Sequence, residues 1–370
     1  MTDSIQARFQ SFTQTHVAPL ASRHDRLQCI DPELVGQLAA QGYLGAIISE
    51  PYKGLGLDMP TFGLLNYELN KSCTAVRSLV TVQNMVGRII ERWGNAEQKD
   101  QWLPVLAAGE KIAGFALTEP EYGSDAAGIR TCFTDHGDTF AITGTKKWIS
   151  FGQMADLFLV FGQAEERLGC LIVEKDTPGL SITPISDILG ARGTMLAQLE
   201  FDACSVPKEN LVTNLGFGLH PVAFTGLDLG RYSIAWGCVG MAAACLEASV
   251  TYASERRQFG SCLKDHQLIQ ALISDMTVDI KAAKLLCEHA GRLAETNDRN
   301  AMQEMLCAKY FAAGMVNRVT AKALELHGAN GYAPEQGIER FFRDAKIMET
   351  IEGSNQMMQI MIAKYGIQHG

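Results

Sequence analysis

Between Pro120 and Val212 the chain switches its hydrophobic period, and after that it switches back. In "AQLEF", Ala197, Leu199 and Phe201 alternate with Gln198 and Glu200, the pattern of a strand with one face buried. "IRTCFTD" and "TFAITGTKKWIS" flank the turn signal "HGD" and predict a hairpin, and "DLFLVFGQ" and "LGCLIVEK" predict a second pair. Several short strands in so short a zone imply a small sandwich or barrel.

On both sides of this zone the apolar residues recur at helical spacing. "DPELVGQLAAQGYLGAII" opens with an Asp-Pro helix start, "SEPYKGLGLDMP" reads as a loop, and "TFGLLNYELNKSC", "VRSLVTVQNMVGRIIERWG" and "NAEQKDQWLPVLAAGE" read as successive helices. Past Asp228, three long periodic segments with short breaks suit an antiparallel bundle, and the Ala/Gly-rich first one permits close helix approach. The expected fold is therefore mainly α with a central β domain. Its expected limits are 1–119 for an N-terminal helical domain, 120–225 for the β domain and 226–370 for a C-terminal helical bundle, which the resemblance described below implies is a four-helix bundle.

With 47% hydrophobic residues the 370-residue chain can bury a large core, and a net charge of −9 argues against a nucleic-acid partner. "MTDSIQARFQSFTQTH" lacks the apolar core of a signal peptide, and Ile234–Leu246 is too short and too rich in small residues to span a bilayer. A soluble, cytoplasmic protein with no membrane partner is expected. The ten cysteines form no CxxC and the eight histidines no HExxH, so no metal is expected. Cys238 and Cys245 share a helix face and read as packed thiols. There is no GxGxxG after a strand, no GxxxxGK[ST] and no GxSxG, which excludes a Rossmann unit, a P-loop and a hydrolase elbow.

Four stretches carry chemistry, and each also has an ordinary structural explanation. "GFALTEPEYGSDAAGIRT" offers hydroxyl and backbone N–H groups at Thr118, Gly123 and Ser124, or is a plain domain linker. "KKWIS" ends a strand with an aromatic and a hydroxyl, or is a half-buried Trp at a sheet rim. "ERRQFG" puts two arginines at a helix end, where they can pair with a diphosphate or merely meet the helix dipole. In "KIMETIEGSNQMMQ" an acid, Glu352, stands directly before Gly353. It is either a solvated last-turn residue before a helix cap or a placed carboxylate.

Taken in order, "TEPEYGSD", "KKWIS", "ERRQFG" and "IEGS", with "YKGLGL", "ERWGNAEQKDQWLP", "VPKENL", "HGANGY" and "RDAKIMETIEGS", make the chain resemble the acyl-CoA dehydrogenase family of flavoproteins from about Asp31 onward. "WISFGQMADLFLVFG", "LDLGRYSIAWGCVG", "LHGANG" and "KIMETIEGS" resemble the branch acting on acyl-carrier-protein thioesters, linked to hydroxymalonyl and methoxymalonyl extender units in polyketide biosynthesis.

The resemblance implies an FAD cofactor lying between the β domain and the bundle. By motif, Phe115, Leu117, Thr118, Gly123 and Ser124 would line the flavin and its phosphates. Trp148 would cover the isoalloxazine, with Ile149 beside it and Ser150 near N5, where the family's usual residue is Thr. From a second subunit Arg256 would meet the diphosphate, with Gln258 and Phe259 beside the adenosine. Gly328 and Ala329 would pass the adenine side, and Glu325 and Ala329 depart from the family's Gln and second Gly. Ser354 and Gln356 would also reach the cofactor.

Glu352 matches the catalytic base, and Arg231, Asp228 and Ile351 fall at the substrate mouth, although Arg231 also reads as an intersubunit ion pair. His327 reads as a packed histidine. The implied function is FAD-dependent dehydrogenation of an acyl thioester, on an acyl carrier protein or on CoA. An electron-transfer flavoprotein or oxygen would be the acceptor, and the assembly a homo-oligomer, dimer or tetramer. Competing readings are a catabolic acyl-CoA dehydrogenase and a non-catalytic flavin-fold binding protein.

Overall fold

The computed structural model describes residues 2–369. Six helices come first: α1 (Thr2–Phe12), α2 (Ala21–Leu27), α3 (Pro32–Ala40), α4 (Met59–Asn70), α5 (Thr74–Trp93) and α6 (Ala96–Ala107). Their starts are chemically marked. Asp31 and Asp58 accept N–H bonds from Glu33 and Thr61, and Asn95 with Gln98 forms a capping box. The first 14 residues of α5, Thr74 to Gly87, are buried without a break.

The sheet comprises β1 (Ala113–Ala116), β2 (Cys132–Asp135), β3 (Thr139–Ile149), β4 (Leu157–Ala164), β5 (Arg167–Glu174), β6 (Leu180–Pro184) and β7 (Ala197–Pro207). Both expected strand pairs form, β2 with β3 and β4 with β5, each antiparallel. The seven strands make one continuous, curled sheet, closed across the middle by β3 on β7 and β7 on β6. Two strands carry no periodic signal of their own. β1 lies ahead of residue 120 and pairs parallel with β4, and β6 pairs with β7.

The chain returns to helices with α7 (Phe224–Glu255), a two-residue hairpin β8 (Arg257–Gln258) and β9 (Ser261–Cys262), α8 (Gln267–Glu295), α9 (Ala301–His327), α10 (Ile338–Ile347) and α11 (Asn355–His369). α7, α8 and α9 pack mutually, α11 closes on α9, and α10 sits against α9 and α7. Cys238 and Cys245 are buried free thiols inside α7.

The helix around Ile234–Leu246 is longer than that stretch suggests. The segment Gly218–Glu255 is long and apolar enough to cross a membrane by length and composition, yet 67% of its apolar window is buried within the protein. It is the shared spine of the molecule, touching α4 and α5 as well as the bundle. Small residues make this possible. A Cβ on Gly63 would collide with the Trp236 indole, and one on Gly240 with the Tyr67 carbonyl.

Candidate active site and cofactor surface

Glu352 does not end a helix. α10 stops at Ile347, and Glu352 lies in the connection to α11. Its backbone is left-handed, with φ of 54°, an uncommon and mildly strained state for a residue bearing a Cβ. Two buried cations hold that conformation. Arg231 Nε donates to the Glu352 carbonyl at 3.2 Å, and Lys309 Nζ donates to the Gly353 carbonyl at 2.7 Å and to Asn355 Oδ1 at 3.2 Å. The Asn355 N–H donates to Glu349 O at 2.8 Å and Ser354 Oγ accepts from Met357 N–H, so the turn is stitched at both ends.

The side chain is turned inward against α7. A Cβ on Gly230 would fall 2.6 Å from Glu352 Cδ and 2.7 Å from Oε2, so this helix position must be glycine for the carboxyl to stand where it does. Glu352 as a residue keeps partial exposure, but Oε2 is sealed from solvent and has no hydrogen-bond partner. Burial raises its pKa to about 7, against the pull of Arg231, Arg77 and Lys309 toward the charged form. Burial also lowers Lys309 to about 8.

Asp228 and Arg231 are committed to one another at 2.7 Å, with the guanidinium also over the Phe224 ring. Burial raises the Asp228 carboxyl and Arg231 opposes it. The pair is intramolecular, and the same guanidinium braces the Glu352 turn. Ile351 is half-buried beside it, packed on the core.

The residues expected around a flavin lie on strands β1 and β3 and in the segments that follow them. Phe115 lies where a Cβ on Gly226 would be 3.5 Å away, one helical turn before Gly230. Lys147 N–H donates to Thr118 O at 2.9 Å, which sets Thr118 beside Trp148. Trp148 has φ of 64° and is 49% exposed, presenting a broad aromatic face. Leu117 and Ile149 are buried supports, Ser150 is partly accessible, and Gly123 and Ser124 are exposed in a loop where a Cβ on Gly123 would meet nothing.

That loop is anchored by a group the sequence reading passed over. Lys146, buried within β3, donates to Glu119 Oε1 at 2.8 Å and to Leu117 O at 2.9 Å. Glu119 also accepts from Thr131 N–H, Thr131 Oγ1 and Arg130 N–H. Burial acts to raise the Glu119 carboxyl, but these bonds outweigh it and hold it below the usual range, while burial lowers Lys146 to about 8.

A third set stands apart. Arg256, Gln258 and Phe259 are exposed at the far end of α7, Phe259 at 97% with φ of 52°. Glu325, Gly328 and Ala329 are exposed next to them, joined through Tyr252, which stacks on His327 at 4.5 Å and accepts from Asn330. His327 is buried, with Nδ1 bonded to Ala323 O at 2.8 Å and Nε2 without a partner. At 1.5 Å per residue, Gly230 and Arg256 are roughly 39 Å apart along the helix axis. One chain does not bring this set to the Glu352 side. Gln356 is exposed on α11 and Ser354 is spent on capping it.

The residues present fit a flavin: an exposed Trp face, a half-open hydroxyl loop, and a secluded carboxylate whose inner oxygen has no partner. Fold and site thus define an enzyme of helical, sheet and helical domains with a buried base-like carboxyl and an exposed aromatic platform. The chain belongs to the acyl-CoA dehydrogenase family, whose N-terminal, middle and C-terminal domain models match residues 2–110, 114–204 and 218–366. It is an FAD-dependent oxidoreductase.

An acyl-CoA dehydrogenase of Bacillus subtilis (strain 168) is 33% identical over 362 residues, covering 96% of this chain and 95% of that protein. The mitochondrial short-chain specific acyl-CoA dehydrogenase of Mus musculus is 32% identical, covering 96% and 87%. Among solved structures, a glutaryl-CoA dehydrogenase from Mycobacterium smegmatis in complex with FADH2 superposes with a TM-score of 0.94 at 28% identity, covering 99% and 94%. FkbI, for biosynthesis of a methoxymalonyl extender unit, gives 0.90 at 31%, covering 99% of each chain. The prolyl acyl carrier protein oxidase AnaB gives 0.92 at 27%, covering 98% of each.

Proposed function

We propose that this enzyme dehydrogenates a short, polar acyl group carried as a thioester on an acyl carrier protein, with Glu352 as the base. The observation that carries the chemistry is the Glu352 carboxyl: buried, held in a left-handed turn by two cations, and with a pKa of about 7. The α-proton of a thioester is weakly acidic. A carboxylate removes it at neutral pH only when desolvation lifts its basicity toward the working pH. FAD, when bound, supplies the hydride acceptor. Phe115, Thr118, Ser124, Trp148 and Ser150 would hold its flavin side, and Gly230 leaves the carboxyl room to face the substrate.

Arg256, Gln258, Phe259, Gly328 and Ala329 would reach the same cofactor only from a second copy of the chain, because α7 separates them from Glu352. Exposed Leu268, Val278 and Leu285, at ten- and seven-residue spacing on α8, support such a homo-oligomer. The likeness to FkbI and AnaB supports the carrier and the extender-unit setting. The Bacillus and mouse relatives favour a second reading, catabolic oxidation of a short acyl-CoA with an electron-transfer flavoprotein as acceptor.

Intact-mass detection of the loss of two hydrogens separates the two. Turnover of acyl-carrier but not acyl-CoA supports the first, and equal turnover of both removes the carrier requirement.

A further inference from the structure

The C-terminal end of α5 carries the two charged residues that this helix exposes, Arg88 and Arg92, and both are positive. Four residues apart, they share one face of the helix. The helix dipole favours cations at this end, but like charges at that spacing repel, so the fold gains little from having two. The acids nearby are engaged elsewhere. Glu91 accepts from Ser49 N–H at 3.1 Å and lies 3.8 Å from Arg88. Glu50 and Lys53, exposed in the loop that Ser49 begins, cancel in charge. Among the described residues Arg92 has no ion pair; it lies over the Trp93 ring, 5.3 Å from the centroid.

Contacts lead from this face to the Glu352 turn. Trp93 Nε1 donates to Thr225 Oγ1 at 2.9 Å, and a Cβ on Gly226 would be 2.8 Å from Ile89, so the end of α5 is packed on the first turn of α7. Phe224, in that same turn, has the exposed His220 imidazole stacked on it at 4.6 Å and the Arg231 guanidinium over it at 5.5 Å. Arg231 in turn bonds the Glu352 carbonyl. The Asp228 carboxyl, between Phe224 and Arg231, feels the charges of both His220 and Arg92. Phe217, 47% exposed, stands just before His220.

The distances suit a tethered substrate. Phe224 and Gly230 are separated by about 9 Å of helix rise. A phosphopantetheine arm has about thirteen bonds between phosphorus and sulfur, and extended it reaches about 16 Å. Its thioester can stand at Glu352 while its phosphate lies outside the rim at His220. The body of the carrier then rests on the protein surface around that rim.

We propose that Arg88 and Arg92, with His220 and Phe217 at the rim, form the docking face for the acidic surface of an acyl carrier protein. This rests on the carrier reading above and deepens it. The chain carries a net charge of −9, and carrier proteins are acidic, so the field of the whole molecule opposes their encounter. A local positive face at the entrance reverses that sign where it matters. Charges at a rim act on encounter rate and orientation, so the two arginines govern delivery of the thioester and leave its chemistry to the interior.

The test uses the FAD-loaded enzyme with 3-hydroxypropanoyl and butyryl thioesters of a phosphopantetheinylated acyl carrier protein, of CoA and of free pantetheine. The second-order rate constant of flavin reduction is measured by stopped flow for the original enzyme and for the double variant Arg88→Glu with Arg92→Glu. The ratio of the carrier to the pantetheine rate constant is expected to fall at least about tenfold in the variant. The ratio of CoA to pantetheine should move far less. Added salt should slow the carrier reaction of the original enzyme and not that of the variant. Replacing acidic surface residues of the carrier by lysine should restore the variant's rate.

An unchanged carrier ratio overturns the inference and leaves the carrier reading in place. An equal fall with CoA also overturns it, and assigns the face to the phosphates of CoA. If the double variant does not fold, Arg92→Ala alone, read in the same ratios, decides. Reduction by the CoA thioesters with none by the carrier thioesters overturns the carrier reading and the inference with it. No reduction by any of the thioesters overturns the dehydrogenase reading as well.

Discussion

Two buried charge sites lie on either side of the junction between sheet and helices, and they are built on opposite plans. Lys146 and Glu119 are closed upon each other. The ammonium has two acceptors, the carboxylate has donors from Lys146, Thr131 and Arg130, and none of their atoms is left wanting. Glu352 and Arg77 are open. Oε2 of one and Nε of the other are buried with no partner, and no ion pair joins them. A satisfied pair fixes a loop, whereas an unsatisfied pair is ground-state cost kept for something that arrives later. The same dry interior thus holds one site closed and leaves the other with buried polar atoms unmet.

The sharpest way to break this contrast is to unpair the closed site. Glu119→Ala leaves Lys146 buried without its counter-charge and frees the Thr118–Ser124 loop. A destabilisation of about 3–5 kcal/mol is expected, together with weakened FAD retention, both visible in denaturant titration and in flavin fluorescence on dilution. A loss within experimental noise would mean that the pair does not carry the loop.

Next is Gly230→Ala. Its Cβ would occupy the carboxyl's own space, 2.6 Å from Glu352 Cδ. Displacing a reacting group by an ångström costs on the order of 100-fold in rate, so kcat should fall by that order while the absorbance of bound FAD is unchanged. Unaltered kcat would show that Glu352 works from another position.

Smaller still is the effect of Arg77→Met on stability. Removing an unpaired buried charge in favour of an apolar chain of similar size should leave Tm unchanged or raise it, by about 1 kcal/mol equivalent. The contrast with Lys146, whose removal strands Glu119, is the point. Marked destabilisation by Arg77→Met would place Arg77 with the closed site.

The three-zone architecture was legible because hydrophobic period is a local property. β2 to β5 and β7 alternate or run apolar, and the helices repeat at 3.6 residues. β1 and β6 were not legible. β1 is four residues of "AGFA", and β6 gains its identity only from pairing with β7.

Glu352 was legible as a candidate through the motif order, yet its setting was not. Nothing in "TIEGS" says that α10 stops at Ile347, or that Arg231 and Lys309, distant in sequence, grip the turn. Lys146 and Glu119 sat unnoticed inside "KKWIS" and "TEPEY", because pairing across 27 residues leaves no local trace.

Arg77 and Gly230 did leave one. A single charge in an otherwise uncharged 16-residue span, and a glycine in a helix interior at a cost of about 1 kcal/mol, both flag a position where packing demands something specific.

The central claim is that burial has tuned Glu352 to take a proton near neutral pH. Raising its pKa from the ordinary 4.5 to about 7 means the folded enzyme holds the proton below pH 7 and releases it above. Folding stability contributed by the protonated form is present below the unfolded value and fades as pH rises toward 7, so basic competence appears as that contribution is lost. The direct measurement is the rate of flavin reduction by a turned-over thioester, followed by stopped flow from about pH 5.5 to 8.5. The account predicts a rise with an apparent pKa near 7, and in Glu352→Gln a rate lower by at least about 100-fold with FAD still bound. A pH-independent rate, or a Glu352→Gln enzyme that reduces its flavin as fast as the original, would contradict it.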